Sequence, residues 1–415
     1  MPGLGGIDLK RYQISRQLGF LPAQPPLTRL PHSCYQIWED TLGKFPSLCN
    51  DESIRQQMDN MPVLSTRALA TEPEWRRAYV VLSMMSQIYI WGGCQPSKTL
   101  PRSLTIPLLE VSAHLRIEPC ASYASFCLWN VRPIPALGYP DPEVYSNPDN
   151  LAIINSFTRT KDEEWFFCVS ASIEVIGGCM IPKMLEAIDA AGDGRREQVT
   201  DFLDELAGCL AQIDATLGRM YEKCAPSVFY HRVRRFLNGS KSMGGVCYEG
   251  LDGPGDWRSY AGGSNAQSSL IQLLDIVLGI DQSGSGAGAA GNGGKGACKP
   301  HGSFHRHMRD YMPGPHRDFL QLMSRVANIR LFVLGHSPGS DIRAAYNRAV
   351  GALVEIRQKH MVMAARYIIA PSLREKGEGG LEGVRGTGGT EFMPLLKGAR
   401  DRTMESISLT GCRDC

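Results

Sequence analysis

Apolar residues recur at intervals of three and four along most of this chain, the period of a helix that buries one face. The clearest stretches are Trp75 to Trp91, Ile173 to Ile188, Glu197 to Tyr221, Ser268 to Leu278 and Phe319 to Val326. Alternating runs are scarce, so the pattern predicts a mostly α-helical fold with little sheet. The segment Arg132 to Asn150 carries five prolines and reads as an irregular connection. It divides a smaller N-terminal domain, residues 1–150, from a large helical domain, residues 151–415.

The longest periodic run is Ser340 to Ala370, opened by Ser340 as N-cap with Asp341 in the first turn and stopped by Pro371. Ile342, Ala345, Ala349, Leu353, Ile356, His360, Met363 and Tyr367 form its inward stripe. His360 is the one strongly polar position there, and an imidazole in apolar surroundings needs a partner. That partner is either a backbone carbonyl, making a core histidine, or a haem iron, for which neutral imidazole is a suitable axial donor. Arg357 lies three residues earlier, on nearly the same face, where it can reach a haem propionate or simply meet solvent.

Two glycine-rich stretches interrupt the helical pattern. Ser283 to Ala297 holds seven glycines and cannot bury a core, so residues 283–298 read as a surface insertion. Its Gly286-Ala-Gly288-Ala-Ala-Gly291 matches a dinucleotide pattern in form only, because a helical run rather than a strand precedes it. Residues 375–390 end in Gly386-Thr-Gly-Gly-Thr390 before the apolar run Phe392 to Leu396, the composition of a mobile loop hinged into a final helix.

Composition narrows the partners. With 44 basic and 42 acidic residues in 415, and neither sign gathered into a run, neither a nucleic-acid groove nor a polybasic membrane anchor is expected. The apolar stretch Ala78 to Gly92 is too short to span a bilayer, and the opening residues lack a secretory pattern. Thirteen scattered cysteines suit reduced thiols, so a cytoplasmic protein is expected. His301, His305, His307 and His316 near the insertion, and the terminal Cys412 and Cys415, are possible zinc or redox groups, but solvated histidines and a frayed tail explain them more simply.

From about Ile7 to Leu409 the chain resembles the indoleamine 2,3-dioxygenase family, of fungal type. The resemblance rests on ordered segments, among them LPRSLTIPL at 100–108, EEWFFCVSASIEVI at 163–176 and PSVFYHRVRRFLNG at 226–239. It continues through YAGGSNAQSS at 260–269, MRDYMPGPHRDFL at 308–320, RQKHMVMAARYIIAP at 357–371 and GTGGTEFMPLLK at 386–397. Each piece is weak alone; their shared order makes the case.

This resemblance implies a two-domain helical fold with haem b between the domains. It implies opening of the indole ring of L-tryptophan, or another indoleamine, by dioxygen to N-formyl-L-kynurenine, the first step of the kynurenine pathway that feeds NAD biosynthesis. His360 aligns with the proximal iron ligand and Arg357 with a propionate-binding arginine. Phe166, Ser170, Phe229 and Arg234 match distal-pocket residues: the rings would wall the indole, Arg234 would grip the carboxylate, and Ser170 would donate to dioxygen or meet the substrate amine. Phe229 and Arg234 are five residues apart, so a regular helix would point them about 140° from each other. A curved or terminated helix, or substrate reaching between them, is therefore required.

Tyr123 and Phe126 match the deep end of the pocket, where Phe126 replaces a smaller residue of some relatives and would narrow it. Gly262, Gly263 and Ser264 would lie against cofactor and ring, and Thr387 would contact substrate as its loop closes. His231 is expected at the surface. A monomer is the family's default state. The same fold could also bind or sense dioxygen with little turnover.

Overall fold

Helices form where the apolar period is sustained. The computed structural model describes residues 6–45, 53–134, 140–250, 255–282, 301–376, 386–387 and 392–407. Glu72–Trp91 covers the first predicted stretch, with Glu72 and Glu74 in its first turn, where acidic groups complement the helix dipole. The predicted run Ile173 to Ile188 is two helices, Lys161–Gly178 and Ile181–Gly192. Gly177 and Gly178 weaken the first at its end, and Pro182 suits the opening turn of the second. Thr160 caps Lys161–Gly178 by accepting from the Glu163 N–H at 3.2 Å. Glu163 in turn accepts from the N–H groups of Phe157 and Thr158, each at 2.7 Å, and so fixes how the chain enters this helix.

Among the described residues five short strands make two small sheets. β1 (Thr99–Leu100) runs parallel to β4 (Val246–Tyr248), which pairs antiparallel with β5 (Asp256–Arg258). β2 (Val131–Pro133) pairs antiparallel with β3 (Leu151–Ile153), Val131 opposite Ile153. The proline-rich segment is thus more regular than expected, because this strand pair brackets it. Within it Pro142–Ser146 is a short helix capped by Asp141, with proline in its first turn, where a missing N–H costs nothing.

The long helix Asp341–Ala364 lies chiefly against Arg196–Gly218 and, on another side, the C-terminal helix Phe392–Ile407. Pro371 does not end the run. A π-helical turn, Ala365–Ile369, leads into a further helix, Ala370–Lys376. That turn shifts hydrogen bonding from the fourth to the fifth residue, which makes room for a ring that would otherwise clash with the carbonyl four residues back. Ser340 takes the N-cap position, but its buried hydroxyl caps nothing.

One buried apolar cluster extends from Leu9 to Tyr367, across the expected boundary near residue 150. Among the described residues one run, Lys161–Gly192, is long and apolar enough to cross a membrane, and 78% of its most apolar window is buried inside the protein as core. The nine described cysteines are free thiols. The insertion at 283–298 and the pair Cys412 and Cys415 lie outside the described residues.

Candidate active site

His360 stands near the end of Asp341–Ala364, flanked by buried Ile356 and Met363. It is partly accessible rather than buried, and among the described residues no hydrogen bond or ion pair holds its ring. Desolvation, and then the nearby Arg357 cation, lower its pKa, so the imidazole is neutral near pH 7. The carbonyl that a structural histidine would need is therefore not found among those residues. What remains is an inward-facing neutral imidazole, the form a metal requires. The described residues contain no cluster of three or more His, Cys, Asp or Glu able to hold a bare ion. A single imidazole suits a metal that carries its own equatorial ligands, as haem iron does.

Arg357 does not simply meet solvent. Its Nη2 lies 2.5 Å from Asp275 Oδ1 in a nearly buried ion pair, and its Nη1 bonds the Thr403 hydroxyl on the C-terminal helix. Asp275, on helix Ser269–Val277, was missed by sequence reasoning, because a carboxylate inside an apolar period shows no partner until the helices pack.

Aromatic side chains build the neighbouring wall. The rings of Phe166 and Phe229 are 4.8 Å apart, and Phe229 meets Tyr367 edge-on at 5.7 Å. Tyr367, read from the sequence only as core, lies seven residues beyond His360, so one helical run carries both the imidazole and part of this wall. Its hydroxyl is fixed by the Cys224 carbonyl at 2.5 Å. No regular α-helix joins Phe229 to Arg234: Phe229–Val233 forms a π-helical turn and Arg234–Leu237 a 3-10 turn. Five-residue hydrogen bonding brings residues five apart toward one face, which removes the divergence of a regular helix. Arg234 is largely enclosed, with its guanidinium 5.5 Å from the Tyr230 ring, and burial lowers its pKa.

The deep end is filled by Phe126, which packs on Phe157 at 5.8 Å and Phe167 at 5.7 Å. A Cβ on Gly263 would come within 2.5 Å of the Phe126 ring, so this glycine permits the contact. Ser170 donates its hydroxyl to the Phe166 carbonyl at 2.9 Å. As placed, its donor serves the helix. Its lone pairs can still accept.

Above lies the loop 262–267. Thr387 donates its hydroxyl to the Gly263 carbonyl at 2.8 Å and accepts from the Gly262 N–H at 2.9 Å, so residue 387 is docked on the glycine pair. The rest of the 375–390 loop after residue 376, apart from Gly386, lies outside the described residues. Ser264 accepts from the Ala266 N–H and caps the turn Asn265–Gln267. Gln267 then clasps both sides: its amide donates to the Gly262 carbonyl and its oxygen accepts from the Tyr123 N–H, each at 2.9 Å. The sequence carried no sign of that clasp.

The remaining histidines separate. His231 is exposed, as expected, and pairs with Glu375 at 3.1 Å. His316 is not solvated: it is buried against Phe20 at 4.9 Å, and burial pushes its pKa down to about 3.

Comparison with known proteins shows the family. The family model for indoleamine 2,3-dioxygenase matches residues 8–406. The chain is 52% identical to an indoleamine 2,3-dioxygenase of Aspergillus candidus, over 96% of this chain and 97% of that one. It is 42% identical to one from Penicillium citrinum, over 96% and 89%. A 6-hydroxytryptophan 2,3-dioxygenase of Fusarium equiseti is 35% identical, over 96% and 98%. The inward imidazole, the aromatic wall and the docked threonine therefore stand in a chain that belongs to the indoleamine 2,3-dioxygenase family.

Proposed function

We propose that this protein is a haem-dependent enzyme that opens the C2–C3 bond of L-tryptophan with dioxygen to yield N-formyl-L-kynurenine. The observation that carries the haem reading is His360: inward-facing, neutral and held by no described residue, it would hold a haem iron. Arg357 is the residue proposed for a propionate, with Asp275 fixing its direction. When bound, haem supplies the redox-active iron that activates dioxygen. The protein supplies orientation and dryness. Phe166 and Phe229 hold the indole by ring contacts, and the Arg234 guanidinium receives the carboxylate of the amino acid. Ser170 is proposed to accept from the substrate amine, since its own proton is already engaged. Thr387, docked on Gly262 and Gly263, closes the pocket against water.

Among indoles the proposed substrate has an unsubstituted ring, and the packing of Phe126 supports that reading. Phe126, backed by Phe157, Phe167 and Gly263, fills the space at the deep end that a ring hydroxyl would need. We further propose a cytoplasmic monomer, consistent with the free thiols, that serves the kynurenine pathway toward NAD.

The test is anaerobic loading of the reduced holoprotein with L-tryptophan, followed by air. Formation of N-formyl-L-kynurenine is the expected result. Reversible oxygenation without product would instead show a dioxygen-binding protein. His360→Ala should lose stable haem, and a normal haem spectrum in that variant would sink the ligand assignment.

A further inference from the structure

One buried carboxyl behind the pocket has no part in the reading above. Glu174 lies one helical turn after Ser170 on Lys161–Gly178 and is fully enclosed. It accepts a hydrogen bond from the Ser268 hydroxyl, which also caps helix Ser269–Val277 by accepting from the Ile271 N–H at 3.2 Å. The Tyr123 hydroxyl lies close enough to favour its ionised form, although Oε2 has no hydrogen bond of good geometry. Glu174 thus stands where three pieces of the site meet: the helix of Phe166 and Ser170, the turn of Tyr123 and Phe126, and the loop that ends at Ser268. From Tyr123 the connection continues through Gln267 to Gly262, and from Gly262 to Thr387.

We propose that Glu174 is a positioning residue for substrate binding: by drawing Ser268 and Tyr123 together it fixes the loop 262–267 on which Thr387 docks. This deepens the proposed function and, in its substrate arm, rests on it. The carboxyl never touches substrate; it acts through the loop.

Its charge state makes the connection adjustable. Burial raises the Glu174 pKa to about 7, with Ser268 and Tyr123 opposing that rise. The groups facing it from the packed elements are Tyr123 and Cys127 on the 123–128 segment and Ser268 on the loop; no cation among the described residues shifts it. Hydrogen bonds to a carboxylate are stronger than those to its neutral acid. As pH rises through about 7, ionised Glu174 therefore grips Ser268 and Tyr123 more firmly, and the Thr387 platform tightens.

The test compares wild-type holoprotein with Glu174→Gln about one pH unit below and above about 7, reading amide exchange protection at Tyr123 and Gly262 and the KM for L-tryptophan. In the wild type, protection should rise and KM fall with pH by about three- to tenfold, the range one net hydrogen bond provides. In Glu174→Gln both should be flat, because glutamine still accepts from Ser268 but does not titrate. Ser268→Ala and Tyr123→Phe each remove a donor that lowers the Glu174 pKa, so each should move the midpoint upward. A flat wild type, a Glu174→Gln that keeps the wild-type pH dependence, or unmoved midpoints in both donor variants overturns the proposal. The exchange pattern without any tryptophan turnover supports the loop role and refutes the tryptophan reading instead.

Discussion

At the scale of single residues, the site depends on which hydrogen-bonding groups are already engaged. Ser170 matches a distal-pocket position in sequence, and its hydroxyl is bonded to the Phe166 carbonyl one turn back. Ser170→Ala should accordingly reduce kcat/KM by no more than about tenfold, the worth of a single net hydrogen bond; a loss of many orders would show that the hydroxyl reorients and donates. Arg234→Lys should raise the KM for L-tryptophan nearly as much as Arg234→Ala, because a lysine lacks the fork that matches a carboxylate. Full rescue by lysine would remove the bidentate assignment. Phe126→Ala empties the deep end and should cost about 3–5 kcal/mol in stability. It should also raise kcat/KM for 6-hydroxytryptophan relative to tryptophan, and an unchanged ratio would show that Phe126 does not set ring selectivity.

At the scale of elements, π-helical turns recur where site residues cluster: Ala124–Leu128 carries Phe126, Phe229–Val233 precedes Arg234, and Ala365–Ile369 carries Tyr367. Each adds a residue to a turn and so rotates everything after it relative to a regular helix. Deleting Tyr230 should restore α-helical register and turn Arg234 away from Phe229. Tryptophan affinity should then fall while haem incorporation persists, and unchanged affinity would mean the register is unimportant. A departure from the regular helix was among the readings that the five-residue spacing left open, but its form was not legible. A π turn is a compromise with neighbouring helices, and single-sequence periodicity carries no term for neighbours. The same holds for Pro371, whose effect depended on a turn that begins six residues earlier.

For the whole molecule, two buried acids report how packing sets energetics. Asp275 and Arg357 join helix Ser269–Val277 to the helix of His360, and Thr403 adds the C-terminal helix. Asp275→Ala leaves a buried cation uncompensated and should destabilise the fold by about 3–5 kcal/mol, measured as a fall in the urea midpoint. Glu174 acts in the opposite sense. Its native pKa of about 7 exceeds the ordinary 4.5, so the native state holds its proton more tightly than the unfolded chain. Stability from this group falls as pH rises between those values and is level above about 7. Glu174→Gln should remove that fall, an effect on the order of 3 kcal/mol, and identical pH–stability curves would refute it.

By itself, the sequence determined the helical class, the inward stripe of Asp341–Ala364 with His360 upon it, and the ordered motifs of the family, because periodicity and local motifs are properties of short stretches of chain. Only the tertiary structure decided that His360 lacks a described protein partner while Arg357 has Asp275, that Ser170 is turned to its own helix, and that Thr387 docks on the glycine pair held by Gln267. Each of these is a pairing or burial between residues distant along the chain, and the desolvation that makes an imidazole neutral or a carboxyl protonated exists only after those elements have packed.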